Sequence, residues 1–214
     1  MISVKQFTFN HFMENCYLLA DKTKGQCAIV DPGMNAPFEE QKLDDYIQKN
    51  DLKPTLILLT HAHIDHIAGL RRAVERYGLP ATLHKDGAHL LKEAQLYGKY
   101  MGFEGLNPMD DLNMAFVQDG DILRLGDGEI EVRHTPGHCV GSVCYVLHAE
   151  KIVLTGDALF CGSIGRTDMP GGDLDVLLEH LHTRILTLPD EYSVLPGHGE
   201  TSTIGVEKRS NPFL

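Results

Sequence analysis

The sequence predicts an α/β fold in which two β-sheets are sandwiched between helices. Three observations carry that expectation. Strand-like apolar runs precede and then alternate with helix-like segments in both halves of the chain, the pattern of a layered architecture. Four of the apolar runs end on a residue able to bind a metal, as happens where a ligand site gathers beyond the carboxyl ends of strands. No low-complexity stretch, long linker or shift in composition divides the 214 residues, so residues 1–214 read as one domain with chain enough for a substantial core.

Taken in order, "ISVKQFTFN", "NCYLLAD" and "QCAIVDPG" read as strands, the last closing in a turn at Asp31-Pro32-Gly33. Helical spacing over residues 38–51 puts Phe38, Leu43 and Ile47 on the inner face. "PTLILLT" (54–60) is a continuous apolar run, suited to a strand buried on both faces. A helix follows over 67–77, stopped by Gly78 and Pro80, then a short strand "ATLH" and a helix over roughly 86–97. Residues 98–118 show no period and read as either a flap or a long connection. Residues 121–135 form a hairpin signal with Asp127-Gly128 at the turn. Strands "SVCYVL" and "KIVLT", a helix over roughly 173–186 and a last strand "YSVL" complete the reading.

Composition narrows the function classes. A formal charge of −11 with no basic run disfavours nucleic acid as a partner. No apolar run reaches the roughly 18 residues of a membrane span, and the amino terminus lacks a leader pattern. The expectation is a cytoplasmic protein that acts on a small molecule, with no membrane partner; nothing in the sequence fixes its oligomeric state. Five cysteines without a CxxC pair fit reduced thiols, and Cys139, although beside a candidate ligand, reads as a small buried neighbour.

The segment "THAHIDHIAG" (60–69) crowds His61, His63, Asp65 and His66 into six positions. On a strand His66 would point away from the other three, and on a helix the four would split between two faces. One cluster therefore requires an irregular turn between the strand before it and the helix after it. "IEVRHTPG" leads likewise into His138, "IVLTG" into Asp157 and "YSVLPG" into His198. These seven residues form the candidate metal set. One ion takes His61, His63 and His138, and a second takes Asp65, His66 and His198. Asp157, with two oxygens, bridges ions roughly 3.5–4 Å apart.

Histidine and carboxylate ligands without thiolates suit two divalent cations, zinc first, with iron or manganese also acceptable. Seven ligands shared by two ions leave room for a water, whose pKa such ions lower to about 7. Asp65 is the catalytic candidate, accepting a hydrogen bond that orients the nucleophile. Asp31 could hydrogen-bond a ligand histidine, and His134 reads as either a support for the ligands or a hairpin-edge residue. His180 and His182 fall on a predicted helix and read as solvated.

The HxHxDH cluster with its later His, Asp and His resembles the metallo-β-lactamase superfamily over nearly the whole chain. That resemblance implies a four-layer αββα sandwich with the metals at one edge of the sheets. "HTPGHCVGSVCYVL" and "LTGDALFCGSIGRTDMPGGD" are most similar to glyoxalase II, the hydroxyacylglutathione hydrolases, which cleave the thioester of S-lactoylglutathione. Two departures stand out. The chain ends at Leu214, without the helical domain that helps those enzymes hold glutathione, and "GSIGRTDMPGGD" replaces their basic and tyrosine residues. Arg166 is the candidate to grip a substrate carboxylate, or with Asp168 to pin its own loop. The "GRTD" segment and the ending "TSTIGVEKRSNPFL" also resemble persulfide dioxygenases, which implies, as the alternative, one iron on His61, His138 and Asp157. A metal-binding scaffold without activity is the remaining reading.

Overall fold

A computed structural model describes residues 1–214. Its first sheet holds six strands in chain order: β1 (Ser3–Phe9), β2 (Glu14–Asp21), β3 (Gln26–Val30), β4 (Lys53–Leu58), β5 (Ala81–His84) and β6 (Met114–Val117). β1, β2 and β3 pair antiparallel; β3 to β6 pair parallel. Parallel neighbours need crossovers, and helices supply them. These are α1 (Pro37–Lys49), the single turn α2 (Ile64–Ile67) with α3 (Leu70–Tyr77), and α4 (His89–Tyr100). β2 is buried at every position, as a strand covered on both faces must be, whereas edge strand β1 alternates.

The second sheet runs β14 (Ser202–Thr203), β13 (Ser193–Pro196), β10 (Ile152–Gly156), β9 (Val143–Leu147), β8 (Gly128–His134), β7 (Ile122–Leu125). Only β10 and β13 pair parallel, across α5 (Leu174–His180) and the π-helical turn that continues it to Ile185. β11 (Leu159–Phe160) and β12 (Ser163–Ile164) make a small hairpin after β10, and α6 (Ile204–Ser210) ends the chain.

The core separates the layers. Tyr17, Leu19, Val30 and Leu58 of the first sheet meet Ile130, Val132, Tyr145 and Leu154 of the second. Outside the first sheet, one cluster joins Phe9, Leu18 and Ile29 to Leu43 and Ile47 of α1, and another joins Ile57 and Leu83 to Ile67, Leu70 and Leu91. Outside the second sheet, Cys144, Val146 and Val153 pack on Leu177, Leu181 and Ile204. The result is the αββα sandwich that the sequence led us to expect.

Several details differ from expectation. Phe38 is 73% exposed rather than inward; the buried residue of that first turn is Glu39. Its carboxylate accepts from the backbone N–H groups of Asn10, Asn35 and Ala36, so local capping overrides hydrophobicity. Residues 98–118 are a connection, anchored by buried Phe103, Met109 and Leu112 and ending in β6. The β7–β8 hairpin turns at Gly126-Asp127, one residue early, where Gly126 takes φ +59° and sits against Asp21. α4 begins three residues beyond the expected start because Lys85–Gly87 form a separate 3₁₀ turn. β11, β12, β14 and α6 were not anticipated. All five cysteines are free, and no helix is long and apolar enough to cross a membrane.

Candidate metal centre

The two sheets are stitched together at the carboxyl ends of β4, β8, β10 and β13. The Val143 N–H donates to the Thr60 carbonyl (2.8 Å) and the Asn15 N–H to the Gly197 carbonyl (2.7 Å) from one sheet to the other, while within the second sheet the Gly197 N–H donates to the Gly156 carbonyl (2.8 Å). The Tyr145 hydroxyl donates to the Leu59 carbonyl across the sandwich. These bonds bring the loops after four strands to one edge. Gly197 is required there, because a Cβ in its place would fall on the Asp157 carboxylate and lie 2.7 Å from His66 Cε1.

All seven residues proposed from the sequence meet at this edge. His61 and His63 lie in the irregular segment after β4, with His63 extended, while Asp65 and His66 lie in the α2 turn. That combination solves the spacing problem of the segment. One donor atom from each of His61, His63 and His138 falls within a 4.8 Å group, and so does one from each of Asp65, His66 and His198. A third such group, His61, His66 and Asp157, spans the two. Asp157 Oδ1 lies 3.3 Å from His66 Nε2, and Oδ2 lies 3.7 Å from His138 Nε2 and 3.6 Å from His198 Nε2. Asp65 Oδ2 lies 3.0 Å from His198 Nε2 and 3.7 Å from His66 Nε2.

The histidines are aimed by what holds their other nitrogen. His66 Nδ1 pairs with Asp31 Oδ2 (3.1 Å), His138 Nδ1 with the Arg166 carbonyl (2.8 Å), and His198 Nδ1 with the Phe12 carbonyl (3.0 Å). His61 Nδ1 meets the Thr60 hydroxyl (3.0 Å), which in turn donates to Asp31 Oδ2 (2.6 Å). This is how metal-ligating imidazoles are oriented. Asp31 therefore makes the bond to a candidate ligand histidine that the sequence allowed. The partners that sequence reasoning missed are Thr60 and two backbone carbonyls, and carbonyls leave no mark in side-chain identity.

Buried polar atoms nearly always find a partner, yet His61 Nε2, His66 Nε2 and Asp157 Oδ1 have none within the protein. They belong to the group within 4.8 Å of one another. Unpaired nitrogens and an oxygen converging on one point are the donor set a borderline cation takes, so the residues fit a metal.

Charge divides the cluster. Burial lowers the pKa of His61, and that of His63 to about 4, with neighbouring imidazoles adding to the effect. Burial also lowers His138, against the opposing pull of Asp157. These three are neutral, the form that ligates. Around His66 and His198 burial is outweighed by Asp157 and Asp65, which raise both. The two carboxyls thus favour the protonated form of these imidazoles, with which an entering cation would compete. Burial works against ionisation of Asp65 and Asp157, but His66, His198 and, for Asp157, His138 keep both carboxyls below the ordinary range.

Arg166 lines the cavity beside the cluster, but Asp168 holds its guanidinium by two bonds, Nε–Oδ1 at 2.7 Å and Nη2–Oδ2 at 2.8 Å. Of the two roles expected for it, loop pinning is the one seen. His134 touches no residue of the cluster. It stacks on His84 at 4.0 Å and pairs with the Val140 carbonyl (2.9 Å), bracing the loop that carries His138. His180 is half-buried rather than solvated, and its Nδ1 lacks a partner. Cys139 is the buried neighbour anticipated, its thiol 3.1 Å from the Ser142 hydroxyl.

Residues 10–198 match the metallo-beta-lactamase superfamily. The chain belongs to that superfamily. Hydroxyacylglutathione hydrolase GloC of Haemophilus influenzae is 38% identical over 208 residues, covering 95% of this chain and 93% of its own. Among solved structures, TTHA1623 in a di-iron-bound form superposes with a TM-score of 0.86 at 38% identity, over 98% of this chain and all of that one. BLEG-1 B3 metallo-beta-lactamase superposes with a TM-score of 0.85 at 34% identity, over 99% of both. The protein is a metal-dependent hydrolase of this superfamily.

Proposed function

We propose that this superfamily member hydrolyses a thioester of the hydroxyacylglutathione type at a centre of two divalent cations, zinc first among them. The observation that carries the reading is the cluster itself. Two triads lie side by side, the group of His61, His66 and Asp157 spans them, and one atom of each of those three lacks a hydrogen-bond partner in the protein. Likeness to GloC supports the thioester; likeness to a di-iron form keeps iron a candidate metal.

His61, His63 and His138 would hold one cation, Asp65, His66 and His198 the other, with Asp157 between. Bound there, the ions supply Lewis acidity, which acidifies water and polarises a carbonyl. The chain's own residues do the rest. Asp65, kept ionised by His66 and His198, accepts a hydrogen bond at Oδ2 and orients the nucleophile. The carbonyls of Arg166 and Phe12 accept from Nδ1 of His138 and His198, so Nε2 is the nitrogen each would turn to a cation. Phe12 and Phe160 line the cavity beside the cluster. A thiol leaving group suits the site, because thiols ionise near pH 8.5 and depart without a strong acid.

The test is release of free thiol from S-lactoylglutathione by zinc-loaded protein, compared with Asp65→Ala. Turnover well above that variant supports the reading; equal rates overturn it. Oxygen uptake with glutathione persulfide by iron-loaded protein would instead establish the dioxygenase.

A further inference from the structure

The cavity over the metal cluster holds about 710 Å³ and reaches well past the reacting centre. One wall is α4, which contributes Leu90, Ala94 and Tyr97, with Met101 just past its end; Val140 and Met169, from loops of the second sheet, line the same cavity. No lysine lines it, and its one arginine, Arg166, is neutralised by Asp168. Glu93, which no basic side chain pairs, adds a negative charge on the same wall. His89 commits Nδ1 to the Asp86 carbonyl (2.8 Å).

A carboxylate pushed against this wall would lose water and gain no cation, a costly exchange. An uncharged hydrocarbon loses nothing there and removes apolar surface from water. Glutathione carries two carboxylates, so its place is the solvent side of the mouth. The acyl group is the uncharged part of such a thioester, and a lactoyl group is too small to reach along α4.

Resting on the thioester reading above, we propose that the α4 wall is an acyl site that selects thioesters of longer, apolar acyl groups over small hydroxyacyl ones. In the reaction the water oxygen bonds to the acyl carbon and the C–S bond breaks with its electron pair on sulfur. A carboxylate, a thiol and one proton emerge. Leu90, Tyr97, Val140 and Met169 set the preference; His61 to His198 perform the hydrolysis whatever the chain length.

The experiment holds glutathione constant and varies the acyl group. With zinc-loaded protein, kcat/KM is measured for S-lactoyl-, S-acetyl-, S-butanoyl- and S-hexanoylglutathione. Each methylene along the wall should raise kcat/KM roughly three- to fourfold, mainly through KM. In Val140→Glu, altered on an exposed loop, and in Leu90→Glu, the slope against chain length should collapse. A flat series, or lactoyl preferred, overturns the acyl site and leaves the thioester hydrolase standing. If no thioester is cleaved the hydrolase reading fails, and calorimetry decides the wall alone. S-hexylglutathione binding at least tenfold tighter than S-methylglutathione, in wild type but not in Val140→Glu, upholds it; equal affinities overturn it.

Discussion

Asp157 and Asp31 are both buried aspartates, yet they serve the site by different physics. Asp157 touches both halves of the cluster, His66 through Oδ1 and His138 and His198 through Oδ2, so removing it should weaken both halves together. In Asp157→Ala the affinity loss should exceed the 10- to 100-fold, in order of magnitude, that follows loss of an outer hydrogen-bond partner. Metal analysis after dialysis checks this, and two ions retained in full would overturn the bridge. Asp31 never faces the cluster's interior. It accepts from Thr60 N–H (2.7 Å), the Thr60 hydroxyl and His66 Nδ1, and so fixes one imidazole and the end of β4 together. Its φ of +52° is one that asparagine also tolerates, which makes Asp31→Asn a clean replacement. An amide has one acceptor oxygen where the carboxylate had two and brings no charge to His66. Metal affinity should fall roughly 10- to 100-fold, read by competition with a chromogenic chelator, while the far-ultraviolet dichroism stays unchanged.

At the scale of elements, the end of β2 shows how the two sheets are locked on the side away from the metals. The Asp21 carboxylate accepts from Thr23 N–H (3.0 Å), the Thr23 hydroxyl (2.6 Å), Lys24 N–H (3.3 Å) and, across the sandwich, Asp127 N–H in the β7–β8 turn (3.0 Å). Bonds from Thr23 and Asp127 hold its pKa far below the aspartate value of 3.8. A depressed folded-state pKa means stability that is present above the unfolded value and lost as pH falls toward the folded one, since the unfolded chain takes the proton first. Asp21→Asn should therefore be less stable than wild type in urea at pH 7, with the gap narrowing at pH 3. A gap equal at both would show that Asp21's charge contributes nothing. Elements were legible in the sequence in proportion to their burial. β2, β3, β4, β9 and β10 announce themselves as apolar runs, whereas β6 carries only four residues after an aperiodic stretch. β14 has two residues, and α6 hides its helical face in a polar seven-residue segment. The clustering of the seven candidate ligands was legible for another reason: imidazoles and carboxylates at strand ends are conspicuous. Their supports were not, because the Arg166 and Phe12 carbonyls could belong to any residue type.

For the whole molecule the governing quantity is a formal charge of −11, which acts on the encounter with substrate rather than on the fold. Ten of the 19 lysines and arginines, Lys24, Arg71, Arg72, Arg76, Arg124, Arg133, Lys151, Arg184, Lys208 and Arg209, pair with carboxylates, and the remaining cations are outnumbered, so the net field stays negative. Arg166, the one basic side chain at the mouth, is likewise spent on Asp168. On the proposed function, an anionic thioester such as S-lactoylglutathione would approach against this field, and metal held at the centre would attract it only at short range. The field is felt over about 30 Å at 0.01 M salt and about 8 Å at 0.15 M. Raising the ionic strength between those values should therefore increase kcat/KM for the glutathione thioester, by roughly two- to fivefold, and leave kcat unchanged. An N-acetylcysteamine thioester of the same acyl group, being neutral, should show no change over that range. Should the glutathione thioester instead slow with salt, the metal centre's own positive field would dominate the encounter, and the acidic surface would have no part in setting which thioesters reach Asp65 and its neighbours.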